Sequence, residues 1–235
     1  MLELEHVSVT YPDGTCAVND FSLQLEQGEK AALIGSNGAG KTTLMLALER
    51  VLPSTGMIRI DGVELKKETQ EEIRRKLGMV FQNPDDQLFM PTIYEDVAFG
   101  PRNYGMEETS VRYRVEDRLE LLGIGHLRDK TAVKLSGGEK RMAAMATVLA
   151  MKPDYILLDE PTAFLDSRAR RKLIQILTSL PHAMLISTHD LAFAEEVCGR
   201  TVLMREGMLY REGETRALLY DKKVMEEAGV EALQA

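Results

Sequence analysis

Apolar residues recur along this chain with two distinct periods. Leu2, Leu4, Val7 and Val9 alternate with polar neighbours, and Phe21, Leu23 and Leu25 repeat the alternation. A period of two marks strands with one buried face, so the start of the chain reads as antiparallel β. Met57 to Ile60, Asp61-Gly62, then Val63 to Leu65 predicts a hairpin around a Gly turn. Thr201 to Met204, Glu206-Gly207, then Met208 to Tyr210 predicts another. Lys30 to Ile34, Leu77 to Phe81, Tyr155 to Leu158 and Ala183 to Ser187 are short and continuously apolar. Such runs suit strands covered on both faces, as in α/β folds.

Helical spacing fills the intervals. A helix is expected from Thr42 to Val51. Another follows Asp166, a good N-cap, with Leu173, Ile176, Leu177 and Leu180 as its apolar stripe. The strand–helix–strand unit from Tyr155 to Ser187 implies a right-handed parallel crossover. From roughly 83 to 152 the pattern turns helical. Val111, Val115, Leu119 and Leu122 lie at helical spacing, Gly123 is a fitting C-cap, and a second helix is expected from about Glu139 to Met151. The expected fold is α/β, in one domain spanning 1–235. Its core is 1–82 with 153–213, carrying an antiparallel β subdomain. A helical subdomain is inserted at about 83–152, and a helical tail covers 214–235.

Composition narrows the class. Length, 44% hydrophobic and 28% charged residues are those of a globular chain able to bury its own core. No apolar run reaches the ~18 residues of a membrane helix. No signal peptide is expected from the opening Met1-Leu2-Glu3-Leu4-Glu5. Cys16 and Cys198 form no metal or redox pattern, so a reducing compartment is expected. The net charge of −8 argues against a nucleic-acid partner. The densest basic run, Arg168, Arg170, Arg171 and Lys172, reads as the wet face of its helix.

The chemistry lies where strands end. Gly35-Ser36-Asn37-Gly38-Ala39-Gly40-Lys41-Thr42 follows a predicted strand and opens a helix. Glycines let successive N–H groups converge on phosphate oxygens, and the helix adds its positive end. Lys41 is placed to reach the β/γ-phosphates and Thr42 to ligate Mg²⁺. Asp159 and Glu160 end the Tyr155 strand. Ligands of open α/β sheets sit beyond the carboxyl ends of strands, which puts Asp159 in the Mg²⁺ environment and Glu160 at a water near the γ-phosphate. Alternation along the strand is expected to point the two carboxylates apart. Gln82 and His189 end two further strands and should line the same crevice. Leu135-Ser136-Gly137-Gly138-Glu139 starts a helix and contains an S-x-x-E capping box. Read structurally it is a cap and nothing more; read functionally, a Ser and two glycines at a helix start make a second anion site, one that suits a nucleotide carried by another copy.

Over essentially its full length the chain resembles the ATP-binding subunits of ATP-binding-cassette (ABC) transporters, a branch of the P-loop NTPases. Gly35 to Thr42 matches Walker A, Tyr155 to Glu160 matches Walker B, and Leu135 to Glu139 matches the LSGGQ signature. Gln82 fits the Q-loop, His189 the switch histidine and Tyr11 the aromatic that stacks on adenine. Two positions depart from the pattern: Glu139 stands for the usual Gln, and Phe164 for the usual Gly. The segments Gln82 to Phe89 and Glu95 to Pro101, with the tail Glu214 to Val230, are similar to ATPases of cobalt/nickel and vitamin importers of the energy-coupling-factor type.

That resemblance implies an ATPase working with ATP and Mg²⁺ at the cytoplasmic face of a membrane. Two cassettes, identical or paralogous, would sandwich the nucleotides head to tail. Nucleotide contacts would come from Tyr11, Gly35 to Thr42, Thr43 and Gln82, and across the interface from Ser136, Gly137, Gly138 and Glu139. Thr42, Gln82 and Asp159 would surround the metal. Glu160, His189 and Lys41 would carry the chemistry. A membrane coupling subunit is expected to dock near Leu88, Phe89, Met90, Ile93 and Tyr94. The competing expectation is a non-transport ABC ATPase of DNA repair or translation. The missing coiled-coil heptads, the length for one cassette only and the acidic charge speak against it.

Overall fold

The computed structural model describes residues 1–234. In chain order the strands and helices are β1 (Leu2–Thr10), β2 (Cys16–Leu25), β3 (Lys30–Ile34), α1 (Lys41–Leu48), β4 (Thr55–Ile60), β5 (Val63–Glu64), α2 (Gln70–Lys76) and β6 (Leu77–Val80). Then come α3 (Ile93–Asn103), α4 (Glu108–Leu121), α5 (Gly137–Ala150), β7 (Tyr155–Asp159), α6 (Ser167–Ser179), β8 (Ala183–Ser187) and α7 (Leu191–Val197). The chain finishes with β9 (Arg200–Arg205), β10 (Met208–Glu214), α8 (Thr215–Leu219) and α9 (Lys222–Glu227).

Two sheets result. One is antiparallel, in the order β2-β1-β4-β5; the other runs β10-β9-β3-β8-β7-β6. In the second, β9, β3, β8, β7 and β6 are mutually parallel and only β10 is antiparallel. The continuous apolar runs are explained by what lies on each side. Ala31 and Leu33 of β3, with Tyr155 and Leu157 of β7, face a core shared with α1 and the antiparallel sheet. Ala32 and Ile34, with Ile156 and Leu158, face a second core shared with α3 to α6. Alternate side chains of one strand therefore fill different cores, which leaves no polar face.

Departures from the expected pattern have local causes. Leu2–Leu4 and Val7–Val9 are out of phase by one residue. The register shifts between Leu4 and Val7, and His6 takes a left-handed φ of 54°, so both pairs are buried on one face. Helix α1 ends at Leu48, short of Val51, and α5 starts at Gly137, ahead of Glu139. The stripe Val111, Val115, Leu119 and Leu122 is fully packed, and Gly123 follows in the left-handed conformation (φ 63°) that closes α4. Helices α2 and α7 were not visible in the periodicity. Seven residues each give too few turns for a pattern, and α2 buries only Ile73.

Candidate nucleotide site

The parallel order puts β3, β8 and β7 side by side, so their carboxyl ends form one edge. The Gly35–Gly40 loop leaves β3 there and enters α1. Its glycines are dictated by packing. A Cβ on Gly35 would lie 2.2 Å from the Met204 carbonyl oxygen, and one on Gly40, at φ 103°, would lie 2.2 Å from that of Ala17. Only glycine lets the loop lie this close to β2 and β9. Helix α1 begins with Gly40 as N-cap, has no side-chain cap and no acidic residue in its first turn. Its first amides thus remain available as donors beside its positive end.

Lys41 is buried, and its Nζ donates to the carbonyls of Gly35 (2.7 Å) and Ser36 (3.1 Å). Burial pulls its ammonium below the usual lysine range, and the nearby Glu160 and Asp159 charges push back. Thr42 Oγ1 donates to Asp159 Oδ2 at 2.8 Å. Asp159 also accepts from the Ser187 hydroxyl, and Ser187 Oγ in turn accepts from the Glu160 amide at 3.1 Å. Ser187 is directly paired with Asp159 across β7 and β8. The sequence reading missed it; a hydroxyl at the end of an apolar strand, two residues before His189, was the available signal.

Glu160 is not the last residue of the strand. It sits just beyond β7 with φ 45°, and the Glu160 amide also donates to the Ser187 carbonyl at 3.0 Å. The divergence of the two carboxylates therefore comes from a left-handed turn, not from strand alternation as expected. That turn aims Glu160 at His189: Nδ1 of the ring lies 2.7 Å from Glu160 Oε2, and the His189 amide donates to the same oxygen at 3.2 Å. Glu160 is buried while the imidazole is largely exposed. Tyr11 joins the loop side, its hydroxyl 3.0 Å from Thr43 Oγ1.

Gln82 follows β6 at the same edge but is exposed, and among the described residues its side chain makes no hydrogen bond to Thr42 or Asp159. What holds this segment is Arg141, also missed from sequence. Its fully buried guanidinium donates from Nη1 to the Phe81 carbonyl and from Nη2 to the Gln82 carbonyl, both at 2.6 Å. Burial lowers its pKa to about 10.

Ser136, Gly137, Gly138 and Glu139 lie apart from this cluster, at the start of α5. The capping box is complete. Beside it a cleft of about 580 Å³ is lined by Ser136 to Glu139, His126, Phe164, Arg168 and Lys172. Phe164 is 86% exposed and has φ 63°.

The expected docking residues need correction. Leu88 and Ile93 are closed into the core against α3 to α5, and Met90 and Tyr94 are half-buried. Asp96, on the first turn of α3, accepts from the amides of Phe89 and Met90 and turns the segment inward. Phe89 alone of the five is open, at 64%, and stacks edge-on against the exposed Phe99 with ring centres 5.1 Å apart. No helix among the described residues is long and apolar enough to cross a membrane.

Comparisons with known proteins identify the family. A family profile described as ABC transporter matches residues 18–163. A Geobacter sulfurreducens chain provisionally named an ABC transporter ATP-binding protein is 45% identical over 96% of this chain and 91% of its own. The energy-coupling factor transporter ATP-binding protein EcfA of Methanothermobacter thermautotrophicus is 42% identical over 98% of this chain and 76% of its own. Among solved structures, cbiO1 of Clostridium perfringens, part of the ABC transporter complex cbiONQ, is 34% identical with a TM-score of 0.84, covering 97% of this chain and 94% of that one. The cassette MJ0796, in a dimeric post-hydrolysis state bound to ADP and Pi, is 29% identical with a TM-score of 0.83, covering 92% and 99%. With the profile spanning more than half of its length and relatives this similar, the chain belongs to the ABC transporter family, as an ATP-binding subunit with ATPase activity.

Proposed function

We propose that this chain hydrolyses ATP between two cassettes to drive a membrane importer of the energy-coupling-factor type. The observation that carries the catalytic part is the Glu160–His189 contact beside the Thr42–Asp159 hydrogen bond, at the edge where the phosphate loop opens. Glu160 takes a proton from water as its oxygen attacks the γ-phosphorus. The bond from that phosphorus to the β–γ bridging oxygen breaks, and ADP leaves with the bond electrons. His189 orients Glu160 through Nδ1–H, and in its doubly protonated form donates from Nε2 toward the γ-phosphoryl oxygens. Lys41 and the loop amides stabilise the charge spread over those oxygens. Tyr11 offers its ring to adenine.

Thr42 and Asp159 present the hard oxygen donors that suit Mg²⁺, which would neutralise charge at the β- and γ-oxygens. Gln82 approaches that environment only if its exposed side chain turns inward.

The start of α5 is the second phosphate contact, and it serves the nucleotide of a second copy or a paralogue. Its separation from the phosphate loop within one chain supports this, as does the dimeric relative bound to ADP and Pi. ATP then favours the closed dimer because only that state makes both sets of contacts. The importer assignment rests on likeness to EcfA and to cbiO1 of the cbiONQ complex. The exposed Phe89–Phe99 pair, flanked by Met90 and Tyr94, is the surface offered to the coupling subunit. The test is co-purification: the chain should isolate with an integral membrane protein, and Phe89→Glu should release it while ATPase activity of the free chain persists. Recovery with ribosomes or DNA instead would favour the non-transport alternative.

A further inference from the structure

We propose that Glu139 is a built-in competitor for the phosphate that the start of α5 receives, so that this one side chain sets the strength of the ATP-bound dimer. The inference rests on the two-copy reading above. Glu139 Oε2 accepts from the Ser136 amide at 2.8 Å and from the Ser136 hydroxyl at 2.8 Å. The reciprocal bond, from the Glu139 amide to Ser136 Oγ, is long at 3.4 Å. A hydroxyl has one proton to give. Given to Glu139, it is withheld from a phosphate, and so is the cap amide. The amides of Gly137 and Gly138 have no partner within the helix and remain for an incoming anion. That anion meets a carboxylate fixed at the same place by two hydrogen bonds. These bonds hold the Glu139 carboxyl below its usual range, so it is charged at neutral pH.

The surroundings provide an alternative place for the displaced carboxylate. Lys140, the next residue, is committed to Asp85 at 2.6 Å. His126 and Lys130 already attract Glu139. His126 also lines the adjoining cleft, together with Arg168 and Lys172. Closing the dimer thus exchanges one set of partners for another at Glu139: Ser136 for Lys130 and the Arg168 and Lys172 of the cleft. A glutamine here would still accept from Ser136 and cap the helix, but would bring no like charge to the phosphate.

The experiment measures the dimer dissociation constant by sedimentation with ATP and Mg²⁺, in a Glu160→Gln background that keeps ATP intact. Glu139→Gln should tighten the dimer by about tenfold, on the scale of removing one close like-charge contact from each of two sites. The gain should shrink as salt is raised. Glu139→Ala should also tighten the dimer while melting earlier, because the capping box is lost; that opposition separates electrostatics from folding. A Glu139→Gln dimer of equal or weaker affinity overturns the competitor role and leaves the two-copy reading standing. Chains that stay monomeric with ATP whatever residue is at 139 overturn both.

Discussion

Two helices in this protein begin at the places we propose for phosphate, and they begin differently. Helix α1 is entered from Gly40, has no side-chain cap and carries no acid in its first turn. Helix α5 is entered from Ser136, closed by a complete capping box, with Glu139 in its first turn. The first is left open and given a buried lysine; the second satisfies itself. The contrast shows how one structural element can serve as a permanent grip or as a conditional one. An uncapped start is less stable alone and keeps its donors free for a ligand. A capped start is stable alone, with donors already committed to its own cap.

The comparison can be broken at each end. The largest effect is expected from Glu160→Gln, which leaves both helix starts intact but removes the base. Phosphate release should fall on the order of 10³-fold, while ATP-bound dimers persist; near-normal turnover would remove Glu160 from the chemistry. Lys41→Ala should weaken equilibrium ATP binding by the monomer ~10- to 100-fold, the range for a charge-assisted hydrogen bond. Ser136→Ala should leave monomer ATP affinity within about twofold, yet weaken the ATP-dependent dimer ~tenfold. If Ser136→Ala instead impaired monomer binding, the two helix starts would share one nucleotide and the division drawn here would fail. Phe164→Gly is the mildest. It relieves a left-handed backbone at a bulky residue, partly offset by a freer unfolded chain, and should raise unfolding free energy by ~0.5 kcal/mol in chemical denaturation.

Much of the molecule is legible from residue order, for identifiable reasons. The β3–loop–α1 unit was readable because glycine spacing, lysine and strand context all point one way. The buried strands were readable because each is apolar on both faces. The nucleotide role of Tyr11 came from resemblance alone, whereas Gln82 was also placed by its position at a strand end; the Tyr11 side chain is tied to Thr43, and Gln82 is held through its backbone carbonyl by Arg141. What was not legible depends on contacts between distant segments. Ser187 matters because β8 pairs with β7, and Arg141 because α5 packs under the end of β6. Leu88 and Ile93 looked like a docking surface because apolar residues beside Gln82 give no hint of what covers them. The fold answers with Asp96, which draws the segment inward.

Arg141 has a mechanical consequence. Its guanidinium spans the carbonyls of Phe81 and Gln82 in the manner of a tie-rod, with its root on α5, five residues beyond Ser136. The segment carrying Gln82 and the helix carrying Ser136 are thereby parts of one lever. Any displacement of the Gln82 segment against α5 has to stretch or break those two bonds.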